Sequence, residues 1–278
     1  MPEEKKSRWQ RFKRFLKRNM TPLWAKRFSY QVISFLVSIA MVFGVASYAF
    51  NKTYEETELK FVDDFTITVH TGAFGTPDNS LEFIEKVIKS DADMLEVDVR
   101  QRPDGTVVMG HDIITTNSAG VELEKAFELI KDTDIKVNLD IKDINSLIKL
   151  RELVVKYGLK ERVFMTGIEP YQTDAIKDKC PDIPYYINYS PSRFKIFSES
   201  YQQKLLDLLK KTGAIGINCN HRYSSKPLSN MLHYNGYKLS VWTVDKKYNM
   251  KRVLLNQPDN ITTNEYDLLN EIIDNWGK

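Results

Sequence analysis

The chain is poor in the residues that mark several protein classes. Its 278 residues include two cysteines, Cys180 and Cys219. Two thiols so far apart make neither a disulfide framework nor a zinc cluster, which leaves them as small packing residues. Glycine (12) and proline (10) are few. No low-complexity tract and no repeat at a solenoid period interrupts the chain, so most of it is expected to fold. No G-x-G-x-x-G turn follows the first β-rich run, which removes the dinucleotide-binding signature. Histidine occurs only as His70, His111, His221 and His233. Finally, no charged residue lies between Phe28 and Asn51.

That uncharged run, with its core "VISFLVSIAMVFGVASYAF", is long enough to cross a bilayer as a helix, since ~20 residues rise ~30 Å. Trp24, Tyr30 and Tyr48 fall near its ends, where amphipathic rings favour the interface. Residues 1–30 hold ten Lys and Arg against Glu3 and Glu4, so the overall net charge of +3 becomes −5 for the remainder. Positive charge before a span retains the N-terminus in the cytoplasm and places the chain beyond the span outside. A cleaved signal peptide is the competing assignment, because "SYA" at 47–49 resembles a cleavage site. Signal peptides, however, have shorter basic and apolar regions than these. The basic excess is local and precedes a span, so no nucleic-acid partner is expected.

After a polar stretch, "NKTYEETELK", short β-rich runs alternate with amphipathic ones. The β-rich runs are 66–70, 93–99, 135–140, 162–166, 184–188, 214–218, 238–242 and 259–262. Between them "NSLEFIEKVIKS" sets Leu81, Ile84, Val87 and Ile88 on one helical stripe, and "YQQKLLDLLKK" and "NEYDLLNEIIDNW" behave alike. Eight such alternations over this length predict an α/β fold, a (β/α)8 barrel, with a doubly wound sheet as the other architecture that alternation allows. The expected organisation is a basic cytoplasmic segment 1–27, a transmembrane helix 28–51, a linker 52–61 and a barrel 62–278.

In such a barrel functional groups gather at the C-terminal ends of the strands. His70 ends the first run. Glu96 and Asp98 lie late in the second, two apart and therefore on one side of a strand. Asn138, Asp140 and Lys142 close the third, and Trp242 ends the seventh. Carboxylates this close repel unless a cation or a proton lies between them. Three of them with room for water suit a hard divalent ion, Mg²⁺ or Ca²⁺. A salt-bridged E-x-D pair, with Arg100 or Lys142, is the plainer reading of Glu96 and Asp98 alone. His111 follows a "PDG" turn and the run "TVVM", so the chain folds back as a hairpin toward the second run. Two imidazoles across a metal-bound phosphate form a natural acid and base. His221, in the polar loop "NCNHRYSS", reaches the same side, although a loop histidine is more often simply solvated. His233 falls within a helix and reads as structural.

The stretches "ITVHTGAFGTPDNSLEFI", "ADMLEVDVRQRPDGTVVMGHD", "VNLDIK" and "LSVWTVDKKYNMKRVL" resemble, in this order, the glycerophosphodiester phosphodiesterase family. Its pattern runs H-R-G, P-E-N-T, E-x-D, H-D, acid-x-Lys and W-T-V, and the resemblance covers residues 62–278. It implies a TIM barrel with one divalent cation that hydrolyses glycerophosphodiesters, or phospholipid- or teichoic-acid-derived diesters, to glycerol 3-phosphate and an alcohol. By motif, His70 and His111 resemble the catalytic acid and base, and Glu96, Asp98 and Asp140 the metal ligands. Lys142 would hold a phosphate oxygen, with Asn79 and Trp242 shaping the pocket. Three positions depart from the pattern. Thr71 replaces an arginine, Asp78 a glutamate, and Asp140 a residue that is usually glutamate. A threonine hydroxyl cannot copy a bidentate arginine grip on phosphate, so Arg100, Arg102 or Arg222 is expected to substitute, Arg100 foremost. That loss leaves two alternatives open. One is a catalytically impaired barrel that binds a phosphodiester polymer or a membrane partner. The other is a phospholipase D-like lyase that releases a cyclic phosphate.

Overall fold

The computed structural model describes residues 8–19 and 21–278; the first seven residues of the expected basic segment, with Lys5 and Lys6, lie outside the described residues. The chain divides into two units, with the boundary between Thr57 and Glu58.

The first unit holds two helices, α1 (Arg8–Asn19) and α2 (Pro22–Glu56). Proline at the first position of α2 suits a helix start, where its missing N–H has no partner to lose. Residues Pro22–Ala49 of α2 form a candidate membrane span, and none of its most apolar stretch is buried. The helix extends beyond the uncharged run 28–51 at both ends, so the first half of the expected linker 52–61 is helical. Charge governs partition into lipid, whereas Lys, Arg and Glu are good helix formers and do not end a helix.

The second unit is a closed barrel. Its strands are β1 (Thr66–Val69), β2 (Met94–Gln101), β3 (Val107–Met109), β4 (Val121–Glu122), β5 (Lys136–Ile141), β6 (Val163–Ile168), β7 (Tyr185–Asn188), β8 (Gly216–Asn220), β9 (Lys238–Trp242) and β10 (Asn260–Thr263). Eight of them pair in parallel around a ring, β1-β10-β9-β8-β7-β6-β5-β2, and the β1–β2 pairing closes it. Each of the eight β-rich runs read from the sequence is one of these strands. The short β3 and β4 are antiparallel and extend from β2 as a hairpin. Each barrel strand leads to one helix: α3 (Leu81–Ile88), α4 (Leu123–Ile130), α5 (Leu147–Lys156), α6 (Thr173–Lys179), α7 (Glu199–Thr212), α8 (Lys226–Tyr234), α9 (Lys247–Leu255) and α10 (Tyr266–Asp274).

Alternation along the strands builds two environments. Val69, Leu95, Val97, Leu139, Ile187, Ile217, Leu239, Val241 and Ile261 are buried in the apolar core. The alternate positions are polar and bond to one another: Thr68 Oγ1 donates to Asn260 Oδ1 at 2.7 Å, Asn260 Nδ2 to Ser240 Oγ at 3.0 Å, and Thr166 Oγ1 to Asn138 Oδ1 at 2.8 Å. Such groups are tolerable when buried only because each has a partner. Cys180 and Cys219 are buried and unpaired, as packing residues should be, and burial pushes the Cys219 thiol up to about 12. Every buried apolar side chain of the described residues, from Val69 to Ile272, belongs to the barrel unit. Glu58–Lys278 therefore carries its own core and meets the requirement for folding alone.

Candidate active site

The turn after β1 is the first element of the site. Gly72 has φ +80°, and a Cβ there would lie 1.8 Å from Asp78 Oδ1, so only glycine lets the two ends of the loop meet. Thr71, at 3% exposure, spends its hydroxyl inside this turn, accepting from the Asn79 N–H at 2.6 Å. Its own N–H donates to Glu96 Oε2 at 3.1 Å. Asn79, itself in the left-handed region at φ 52°, exchanges two hydrogen bonds with Asp98: its Nδ2 donates to Oδ2 at 2.8 Å, and its Oδ1 accepts from the Asp98 N–H at 2.9 Å. The "HTG" and "PDN" segments thus hold both acids of β2 by backbone and amide groups.

Register brings the third acid alongside, because β2 and β5 pair with Asp98 opposite Asp140. One carboxylate oxygen from each of Glu96, Asp98 and Asp140 lies within 4.8 Å of the others. The Thr166 hydroxyl that bonds Asn138 also lies 2.9 Å from Asp140 Oδ1, its one proton shared between the two oxygens. Lys142 Nζ sits 2.5 Å from Asp140 Oδ2 and 3.1 Å from Asp98 Oδ1. Burial works against the Lys142 ammonium, yet Asp140 and Asp98 outweigh it and hold its pKa above that of an ordinary lysine. Glu96 has no such partner. Burial, followed by the charges of Asp140 and Asp98, pushes its carboxyl well above the usual carboxylate range, and the Thr71 N–H and Lys142 offset only part of this. The cluster is short of positive charge, and its donors are all carboxylate oxygens. A hard divalent cation fits both features.

The histidines approach from two sides. His70 Nε2 lies 3.8 Å from Glu96 Oε2. His111 arrives on the hairpin: Gly110 donates its N–H to the Asp98 carbonyl at 3.0 Å, and Arg100 Nε donates to the His111 carbonyl at 2.8 Å. The His111 ring stays open to solvent, with Nδ1 3.0 Å from Asp112 Oδ1. A cavity of about 240 Å³ collects His70, Glu96, Asp98, His111, Asp140, Lys142 and Trp242. Both motif histidines, all three carboxylates, Lys142 and Trp242 therefore line one cavity, as does Asn138. Asn79 supports it from behind, and Arg100 braces the His111 backbone instead of lining it.

The other arginines do not fill the place of the missing one. Arg102 spends its guanidinium on the Ala119 and Gly120 carbonyls and on Glu122. Arg222 is exposed and outside the cavity, and among the described residues no arginine lines it. His221 also lies outside. Burial, with Arg252 and Arg222 beside it, pushes its imidazole down. His233 bonds Asp259 at 2.8 Å at the far end of the strands, a structural contact. The sequence reading passed over Asn188, Asn218, Thr166, Thr243 and Thr262, which line the cavity, and over Asn264, whose Oδ1 meets His70 Nδ1. Their only sequence signal is a polar residue at or just past a strand end.

No family model matches the chain. A glycerophosphodiester phosphodiesterase from Caldanaerobacter subterraneus subsp. tengcongensis is 24% identical over 251 residues, covering 76% of this chain and 98% of that one. A glycerophosphodiester phosphodiesterase structure from Parabacteroides distasonis aligns with a TM-score of 0.64 at 18% identity, covering 78% of this chain and 99% of that one. A phosphodiesterase from Oleispira antarctica, in complex with its product sn-glycerol-3-phosphate, aligns with a TM-score of 0.61 at 15% identity, covering 75% and 96%. The solved structures establish the TIM-barrel fold.

Proposed function

We propose that the chain is a metal-dependent phosphodiesterase that hydrolyses glycerophosphodiesters to glycerol 3-phosphate and an alcohol, and that α2 anchors it in a membrane with the barrel on the extracytoplasmic side. The observation that carries this reading is the convergence of two histidines, three carboxylates and one lysine on a single cavity at the C-terminal end of a barrel. Glu96, Asp98 and Asp140 would hold one Mg²⁺ or Ca²⁺, which when bound supplies Lewis-acid activation of the phosphate. Lys142 faces the same oxygens and balances phosphate charge. His70, whose Nε2 bears the free lone pair, takes the proton from the attacking hydroxyl. His111, whose Nδ1 is committed to Asp112, returns a proton to the leaving oxygen from Nε2. The attacking hydroxyl is the glycerol 2-hydroxyl, so the alcohol leaves and a cyclic phosphate forms. Water then opens it to glycerol 3-phosphate, with the two histidines exchanging roles. Trp242 closes one wall. The N-terminal basic excess supports a cytoplasmic N-terminus.

The test is turnover by the fragment 58–278. With Mg²⁺ or Ca²⁺ it should release glycerol 3-phosphate from glycerophosphocholine or a glycerophosphate polymer, and EDTA should abolish this. No turnover of any diester with any divalent ion would sink the proposal. Thr71 favours a second reading, a barrel that binds diesters without cleaving them, because its hydroxyl is buried in a turn and among the described residues no arginine lines the cavity in place of the expected clamp. A rise in melting temperature with Mg²⁺ or Ca²⁺ but no turnover would select that reading. Phosphorus NMR separates hydrolysis from a lyase that stops at the cyclic phosphate.

A further inference from the structure

The C-terminal face of the barrel exposes more apolar surface than its cavity uses. The loop 189–198, between β7 and α7, leaves Phe194 91% and Phe197 74% exposed. Looseness is not the cause. Between them Ile196 is 1% exposed and packs in the core. Tyr201 Oη accepts from the Ser192 N–H at 2.8 Å, and Gln202 Nε2 donates to the Ile196 carbonyl at 2.7 Å. The loop is pinned with one apolar residue inward and two outward. Adjacent loops repeat the pattern: Tyr171 after β6, Tyr223 after β8, Trp242 at the end of β9 and Tyr248 at the start of α9 are all exposed. Strands β6, β7, β8 and β9 are consecutive around the barrel, and Trp242 also lines the cavity, so this rim begins at the active-site mouth. Single exposed apolar residues are ordinary, but a set on four neighbouring loops of one face marks an interaction surface.

Charge narrows the partner. The same loops expose Arg193, Lys195, Arg222, Lys246 and Lys247. Against these five stand Glu169, Glu199 and Asp245, and Asp245 is occupied by Asn264 and Thr263. Residues beyond 30 carry net negative charge overall, so this face is positive on an acidic body.

We propose that this face docks on a lipid surface rich in anionic headgroups. Phe194 and Phe197 enter the interfacial region, and the five cations meet headgroup phosphates. Aromatic rings favour that zone, long cationic side chains reach out to it, and an anionic leaflet attracts Lys and Arg near its surface. Docking would bring the cavity mouth to diesters held at the surface; that consequence rests on the phosphodiesterase reading, whereas the docking itself needs no turnover.

The fragment 58–278, which lacks the candidate span, is sedimented with vesicles of phosphatidylcholine alone or mixed with phosphatidylglycerol. It should bind the mixed vesicles, more weakly as salt rises, and leave the neutral ones. Phe194→Ala with Phe197→Ala should weaken partitioning on the order of tenfold or more. Arg193→Glu with Lys195→Glu should remove the preference for anionic lipid. Tyr234→Ala, exposed at the opposite end of the barrel, should change nothing. Melting temperatures equal to the parent's show that each variant is folded. The proposal is overturned if the parent ignores anionic vesicles at low salt, or if the double phenylalanine variant binds as the parent does. It is equally overturned if the parent self-associates through these phenylalanines without binding vesicles, which makes a second copy the occupant. Vesicle binding without diester turnover would sink the activity and leave the docking standing; turnover without binding would do the reverse.

Discussion

His70 Nδ1 lies 3.0 Å from Asn264 Oδ1 and 3.0 Å from the Thr71 carbonyl oxygen. A carbonyl can only accept, so Nδ1 carries the ring proton, and Nε2 faces Glu96 with its lone pair free. The orientation of Asn264 is fixed in turn, because its backbone N–H and its Nδ2 both donate to Asp245 at 2.9 Å. Through Asn264, Asp245 thus reinforces the tautomer that the Thr71 carbonyl also demands of the proposed base.

Asn264 and Asp245 are therefore positioning residues, and changing them should move kcat more than KM. Asn264→Leu should lower kcat by about tenfold or more, less than the ~100- to 10,000-fold expected of a proton-transfer group itself. Asn264→Asp keeps the acceptor and adds negative charge beside Nδ1–H. That charge favours the imidazolium, so the acid limb of the pH profile of kcat/KM should shift to higher pH. Unchanged profiles in both variants would remove Asn264 from the proton path.

Glu96 predicts a coupling between pH and metal. Burial and its two acidic neighbours raise its folded pKa, so the folded state keeps this proton after the unfolded chain has released it. Glu96 thus contributes stability below the ordinary glutamate pKa of about 4.3, and that contribution is lost as pH rises through the raised folded value. In EDTA the melting temperature of 58–278 should carry this downward slope. Mg²⁺ or Ca²⁺ should raise the melting temperature most where Glu96 is ionised, and binding within the window should release a proton, seen by calorimetry in buffers of different ionisation enthalpy. Glu96→Gln should flatten the slope and remove the proton release. A metal shift independent of pH in the parent would contradict this.

The barrel was legible because period-two strands of Val, Ile and Leu, capped by polar ends, leave a strong local signal, as at "DMLEVDV" and "IKVNLD". The hairpin that returns His111 was legible too: "PDG" closes through the Gly105 N–H to the Arg102 carbonyl at 2.9 Å, with Gly105 at φ +90°. Asn264 was not legible, because its meaning comes from His70, 194 positions away in the chain, and a lone asparagine after a strand has many uses. Thr71 looked like a lost phosphate clamp. Only the packed turn shows that its hydroxyl is an acceptor for Asn79. The ends of α2 were missed because absence of charge marks a lipid-compatible run, while helix formation obeys other preferences.

Lys142 separates stability from turnover. Its Nζ neutralises Asp98 and Asp140, so Lys142→Met leaves three carboxylates with no cation among them. Breaking a fully buried pair costs ~3–5 kcal/mol. Here the lysine side chain is 24% exposed, and solvent screening reduces the expected loss to about 1–3 kcal/mol. Mg²⁺ or Ca²⁺ should restore the melting temperature of the variant by supplying the missing charge, but not its turnover, because the phosphate contact stays lost. Recovery of both would make Lys142 a purely structural cation.

Arg100 offers the sharpest contrast between motif and geometry. Its place on β2, two residues after Asp98, suggests a stand-in for the missing arginine and hence a direct phosphate contact. In the fold its Nε donates to the His111 carbonyl at 2.8 Å, and it does not line the cavity. The two roles differ kinetically. A lost phosphate contact present in both ground state and transition state raises KM, whereas a loosened proton donor lowers kcat and kcat/KM together. Arg100→Ala should therefore reduce kcat for a soluble diester with KM nearly unchanged. Arg100→Lys should recover little, since the guanidinium reaches that carbonyl with a planar, directed N–H that an ammonium does not copy. A rise in KM at constant kcat would return Arg100 to the substrate and leave His111 braced by the Gly110 backbone alone.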